Sequence, residues 1–231
     1  MRGVDIMRQS YIEQLDNLYE RFIQLGYIVK DVINEAVDAF EKQDIEKALA
    51  IIENDKYINE VEEALEQDCI QIIALQQPVT SDLRKVITII KASTDFERIA
   101  DHARGVAYAT KRMSGERDPE IEEIILQMGQ LVDEMMATLL KAIEEPNVLT
   151  AIQASRLDDQ VDQYNKQITR RVAKELLSDG ESSRSYIEYK SISNDVERIG
   201  DYITNIAESV VYLETGEISE LNPRYSKSPK K

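Results

Sequence analysis

The chain has 231 residues, 42% hydrophobic and 31% charged, with only 8 Gly and 5 Pro. That length carries one large or two small domains, and few turn-formers beside plentiful Glu, Lys, Ile, Leu and Ala point to long helices. A net charge of −16 argues against nucleic acid, which needs clustered Lys and Arg, and suits metal cations or a basic protein surface.

Residues 1–8 hold two possible starts, Met1 and Met7, and the stretch before Met7 carries no pattern beyond that of a leader of little consequence. From about Ser10 to Lys42, Leu15, Leu18, Phe22, Leu25, Val29, Val32, Ala36 and Ala39 recur in steps of three and four, the seam of a bundle helix. Asp44 is a plausible N-cap for a second helix through Leu49, Ile52, Ile58, Val61 and Leu65 to about Leu75. Cys69, the only cysteine, is spaced with Leu65, Ile72 and Ile73 as a buried thiol, and it excludes an internal disulfide. Pro78 breaks this helix, and Thr80 or Ser81 is expected to cap a third that runs to about Met113.

After a linker at 115–118, Pro119 opens a fourth helix with Ile121, Ile124, Met128, Leu131, Met135 and Leu139 on one face. A fifth is expected from Asn147 through Ile152, Val161, Tyr164, Ile168, Val172 and Leu176, and a sixth from about Ser185 to Glu214 after a break at 178–183. The basic stretch beyond Gly216 reads as a disordered tail. No apolar run reaches membrane-span length and no signal-peptide core opens the chain, so the expectation is a soluble cytoplasmic protein.

The halves repeat. At an offset of 103, Gly26 meets Gly129, Asp44 meets Asn147 and Asp55 meets Asp158; three residues are then lost, and the offset is 100 through Asp95-Phe96-Glu97-Arg98-Ile99-Ala100-Asp101 and Asp195-Val196-Glu197-Arg198-Ile199-Gly200-Asp201. The fold class expected is therefore all-α, two repeated three-helix bundles, with residues 1–114 and 115–217 as the two units and 218–231 as the tail.

Glu97 and Asp101, like Glu197 and Asp201, are spaced i,i+4, which stacks two carboxylates on one helix face. Like charges there repel, so a doubled acidic pair suggests a cation held between helices; the plainer alternative is that Arg98 and Arg198 neutralise a solvated face. The repeat exposes a second row, Asp55 with Asn59 and Asp158 with Asp162, which antiparallel packing would bring near the first. Oxygen-rich donors suit Mg, Ca, Mn or Fe, and Zn also accepts carboxylates. His102, the only histidine, is replaced by Tyr202 in the second copy, so the repeat does not require an imidazole. Ferritin-like di-iron sites want Glu-x-x-His on two helices, which one histidine cannot supply, and no phosphate loop or nucleophile elbow is present.

Gln77-Pro78-Val79 with Asp82-Leu83-Arg84, followed by Thr94 to Asp101 and by Asn194 to Asp201, resembles the PhoU family of bacterial phosphate-uptake regulators, over essentially Met7 to Glu217. That resemblance implies a pseudo-twofold pair of bundles, a homodimer, and no enzymatic activity. It also implies multinuclear clusters of iron or zinc on the motifs matched by Glu97–Asp101, Glu197–Asp201 and Asp158–Asp162, whereas Asn59 departs from the pattern beside Asp55. It further implies negative regulation of phosphate uptake through the Pst ABC transporter and a PhoR-type sensor kinase, with membrane contact only through such partners. The competing expectation is a metal-free acidic scaffold, or, further off, a di-metal carboxylate enzyme.

Overall fold

A computed structural model describes the backbone of residues 2–178 and 183–221, and side chains within that range except those before Gln9 and at 55, 178 and 183. The described residues are helical apart from short connections: α1 (Arg2–Lys42), α2 (Ile45–Gln76), α3 (Ser81–Arg112), α4 (Pro119–Glu144), α5 (Val148–Ser155), α6 (Asp158–Ser178) and α7 (Ser183–Thr215). The helix ends show why the chain folds in these pieces. Asp44 accepts from the Lys47 N–H at 2.9 Å, Asn147 accepts from the Thr150 N–H at 3.0 Å, and Asp118 caps α4 with Pro119 behind it.

The sequence expectation fails at three local points. The fifth helix is two, because the chain turns at Arg156 and Leu157, where the Arg156 N–H bonds Gln153 O at 3.3 Å rather than the carbonyl one residue earlier. Asp158 and Asp159 then occupy the first turn of α6, where the helix dipole favours carboxylates. Thr80 makes no side-chain cap; its φ of +48° sets the bend, after Gln77 has closed α2 at φ +49°. Helix α1 starts at Arg2 rather than Ser10. The break expected at 178–183 and the tail from 222 onward lie outside the described residues. Residues 218–221 are described, and they turn back over α7, with the Leu221 N–H bonded to Glu208 Oε1 at 2.8 Å.

Helices α1, α2 and α3 form one bundle and α4, α5/α6 and α7 the other, related by a pseudo-twofold axis. The long helices α1, α3, α4 and α7 meet in the middle, and α2 and α6 lie on the flanks. Leu18, Phe22, Leu25 and Val29 of α1 are buried, as their spacing requires, and Cys69 is fully buried, which pushes its thiol up to about 12.

The axis is visible in the contacts. A Cβ on Gly26 would lie 2.5 Å from Leu140 Cδ2, and one on Gly129 would lie 2.8 Å from Val37 Cγ1; the two contacts are copies of each other. Between them Lys30 donates to Asp133 at 2.5 Å, a pair of equivalent positions facing each other with opposite charge. The second crossing, α3 on α7, is antiparallel, with Arg98 over the Tyr202 ring at 5.6 Å and Arg112 bonded to Glu188. Ala100 and Gly200 stand at equivalent positions of the two helices, both buried.

Candidate functional site

Each acidic row is built by the flanking helix and the third helix of its own bundle. In the first bundle the Thr94 hydroxyl donates to Glu62 Oε1 at 3.0 Å. That contact fixes the antiparallel register of α2 on α3 and places Asn59 level with Glu97, and position 55 level with Asp101. Glu97, Asp101 and Asn59 are half-buried. The Asp55 side chain lies outside the described residues.

In the second bundle the Ser193 hydroxyl donates to Asn165 Oδ1 at 3.0 Å, setting α6 on α7 in the matching register. Asp162 then comes level with Glu197, and Asp158 with Asp201. Asp158 is 1% exposed and Asp162 7%, so this row is the more enclosed of the two. Asp158 fits because residue 200 is glycine: a Cβ there would stand 2.8 Å from its Oδ1. The structure thus brings Asp158, Asp162, Glu197 and Asp201 to one helix–helix seam, and Glu97, Asp101 and Asn59 to the other.

Basic groups attend these rows unevenly. Arg198 reaches Asp201 at 3.4 Å and Glu197 at 3.9 Å, as its place in the motif suggests. Arg98 does not copy it, since it reaches Asp95 at 3.7 Å and covers Tyr202, while Arg104 pairs with Asp101. Lys166 lies 3.5 Å from Asp162. Lys190 donates to Asn165 and Asn194 at 2.8 and 2.6 Å, and burial holds its ammonium below the usual lysine range although Glu197 opposes the shift.

The donors are carboxylate and amide oxygens, chemistry that fits Mg, Ca, Mn, Fe or Zn. The room left for the Asp158 carboxylate by Gly200 fits a buried ligand rather than a solvated charge. Among the described residues no three His, Cys, Asp or Glu side chains lie close enough together to hold a metal ion.

Several residues of these seams escaped the sequence reading. Glu62 and Asn165 lie seven residues beyond Asp55 and Asp158, and Lys190 seven before Glu197, two helical turns along the same faces. Extending each row by a heptad would have found them. The His102 contact carries no such signal: its Nδ1 lies 2.9 Å from Asp195 Oδ1 in the other bundle, and its ring stacks on Tyr202 at 5.7 Å.

The family model described as PhoU domain matches residues 22–110 and again 125–210, one match in each bundle. The phosphate-specific transport system accessory protein PhoU homolog of Streptococcus pneumoniae serotype 4 is 38% identical over 217 residues, covering 94% of this chain and 100% of that protein. The protein named phosphate-specific transport system accessory protein PhoU in Escherichia coli K12 is 29% identical over 205 residues, covering 88% of this chain and 85% of its own. The crystal structure of the phosphate transport system regulatory protein PhoU from Streptococcus pneumoniae superposes with a TM-score of 0.84 at 36% identity, covering 90% of this chain and 99% of that one. That of PhoU from Pseudomonas aeruginosa gives 0.84 at 28% identity, covering 90% and 100%.

Proposed function

The chain belongs to the PhoU family, a family of accessory and regulatory proteins rather than enzymes, and we propose that it regulates phosphate transport as a metal-binding adaptor of the Pst system. In this reading it restrains the phosphate-importing ABC transporter when phosphate is plentiful and relays that state to a PhoR-type sensor kinase. Cations, iron or zinc in multinuclear clusters, sit at the seams of Glu97, Asp101 and Asn59 and of Asp158, Asp162, Glu197 and Asp201. They stiffen each flanking helix against its bundle and offset part of the −16 charge. The protein works as a homodimer in the cytoplasm and meets the membrane through partners; among the described residues no helix is long and apolar enough to cross one.

The observation that carries the metal reading is the burial of Asp158 and Asp162 at 1% and 7% exposure on the face opposite Glu197 and Asp201. Burying carboxylates is costly unless hydrogen bonds, ion pairs or metal cations compensate them, and a cation would compensate both at once. The pathway reading is supported by the names that the relatives carry. A metal-free scaffold remains the second reading, favoured by the Arg104–Asp101, Arg198–Asp201 and Lys166–Asp162 pairs, which already supply positive charge to both rows.

Phosphate uptake separates the two readings. Cells lacking the chain should import labelled phosphate faster in phosphate-rich medium. The wild-type chain should restore restraint, and Glu97→Gln with Glu197→Gln should fail to do so. Full restraint by that variant would favour the scaffold, and unchanged uptake in cells lacking the chain would contradict the pathway.

A further inference from the structure

Equivalent positions on the two sides of the α3/α7 crossing are filled differently. On one side Arg112 donates to both carboxylate oxygens of Glu188, with Nε–Oε1 at 3.0 Å and Nη2–Oε2 at 2.8 Å. Gly105 lets α3 close against the Asp195 carboxylate, where a Cβ would stand 2.6 Å from Oδ2. On the other side the equivalents of Glu188, Arg112 and Gly105 are Thr88, Tyr212 and Asn205. Thr88 and Tyr212 cannot form an ion pair with each other, and Asn205 stands where the other side has Gly105.

The result is an open cavity of about 480 Å3 lined by Thr88, Lys91, Asp95, Arg98, Asn205 and Tyr212. Its volume lies within the range of sites for organic ligands, about 300–1,000 Å3. Thr88 is 2% exposed, and its hydroxyl has no hydrogen-bond partner. The Ser219 hydroxyl, on the segment that turns back over the cavity, is likewise buried without a partner. A buried hydroxyl without a partner is costly, and two beside one cavity point to a ligand that uses them.

The lining says which ligand. Lys91 and Arg98 stand exposed at the rim, and Asp95 and Glu208 face them, so two cations balance two carboxyl groups and neither sign of bare ion is favoured. Carboxylates accept from sugar hydroxyls, an Asn amide matches the edge of a base, and a tyrosine ring offers a stacking face. The rim cations suit a phosphate. We propose that this cavity binds a nucleoside or nucleoside monophosphate, its sugar hydroxyls toward Thr88 and the carboxyl groups and any phosphate toward Lys91 and Arg98.

The test is calorimetric titration of the full chain with adenosine, guanosine, their 5′-monophosphates, ribose 5-phosphate and inorganic phosphate. At least one nucleoside or nucleotide should bind saturably. Thr88→Val, which removes only the orphaned hydroxyl, should weaken that binding about tenfold while leaving Tm equal or higher. Thr88→Glu with Tyr212→Arg, which writes the Glu188–Arg112 pair onto this side, should abolish it. Binding by neither nucleosides nor nucleotides, binding of inorganic phosphate or ribose 5-phosphate alone, or binding indifferent to both variants would overturn the proposal. None of the substituted residues belongs to the acidic rows, so that outcome would leave the metal reading standing.

Discussion

The two bundles share a backbone plan and differ in how they use it. Where the halves meet through α1 and α4, the pairing of positions is kept, with Gly26 on Leu140 and Gly129 on Val37, although Gly26 also abuts the Phe96 ring, a contact Gly129 lacks. Where they meet through α3 and α7 it is broken, closed by Arg112–Glu188 and His102–Asp195 on one side and open at Thr88 and Tyr212 on the other. The acidic rows differ too. The second begins at the N-terminus of α6 and is buried, while the first runs along an unbroken α2 and has Asn59 where its counterpart has Asp162. A duplicated scaffold can thus hold its packing constant while its polar surfaces diverge.

Substitution separates kept from broken symmetry. Gly26→Val should destabilise the chain by about 3 kcal/mol, because the new side chain must displace both Leu140 and the Phe96 ring, and Gly129→Val by about 2 kcal/mol, because it meets Val37 alone. Losses of similar size in denaturant midpoint, the larger at Gly26, would support the paired crossing, and a loss at one glycine alone would contradict it. At the asymmetric crossing the exchange should be lopsided. Gly105→Asn forces a side chain onto Asp195 and should cost about 2 kcal/mol net of its gain in helix propensity. Asn205→Gly opens space and should cost no more than about 1 kcal/mol.

Arg112→Ala should cost about 1 kcal/mol, since the pair is bidentate but the Arg112 side chain is 53% exposed; Tyr212→Ala, at the equivalent position, has no such partner to strand. The smallest effect concerns pH. Burial pushes the Glu208 carboxyl above its ordinary value of 4.5, against the Leu221 N–H and with Glu220 adding to the rise. An acid whose folded value is raised keeps its proton in the folded state after the unfolded chain has lost it, so stability falls as pH rises through that window. Glu208→Gln should therefore be slightly more stable than wild type at neutral pH and no more stable at pH 4. Thermal melts at both values check this.

Much of this architecture was legible in the sequence because hydrophobic period and repeat act locally. The seam of α1 and the caps at Asp44 and Asn147 follow from spacing along one helix or from superposing the halves. The division of the fifth helix was not legible, because Arg156 and Leu157 carry neither glycine nor proline and only the two aspartates that follow hint at a new start. Arg98 turning to Asp95 and Tyr202, and His102 bonding Asp195, were hidden for another reason. They depend on how one bundle lies on the other, and no periodicity within a helix encodes that.

The most direct measurement is elemental analysis of the purified chain by inductively coupled plasma mass spectrometry. It would run beside a variant carrying Glu97→Gln, Asp101→Asn, Glu197→Gln and Asp201→Asn. Tightly held iron or zinc in the native chain that disappears from a correctly folded variant is the result predicted. Neither protein retaining metal after purification without chelator, and after reloading with ferrous iron or zinc, would contradict it.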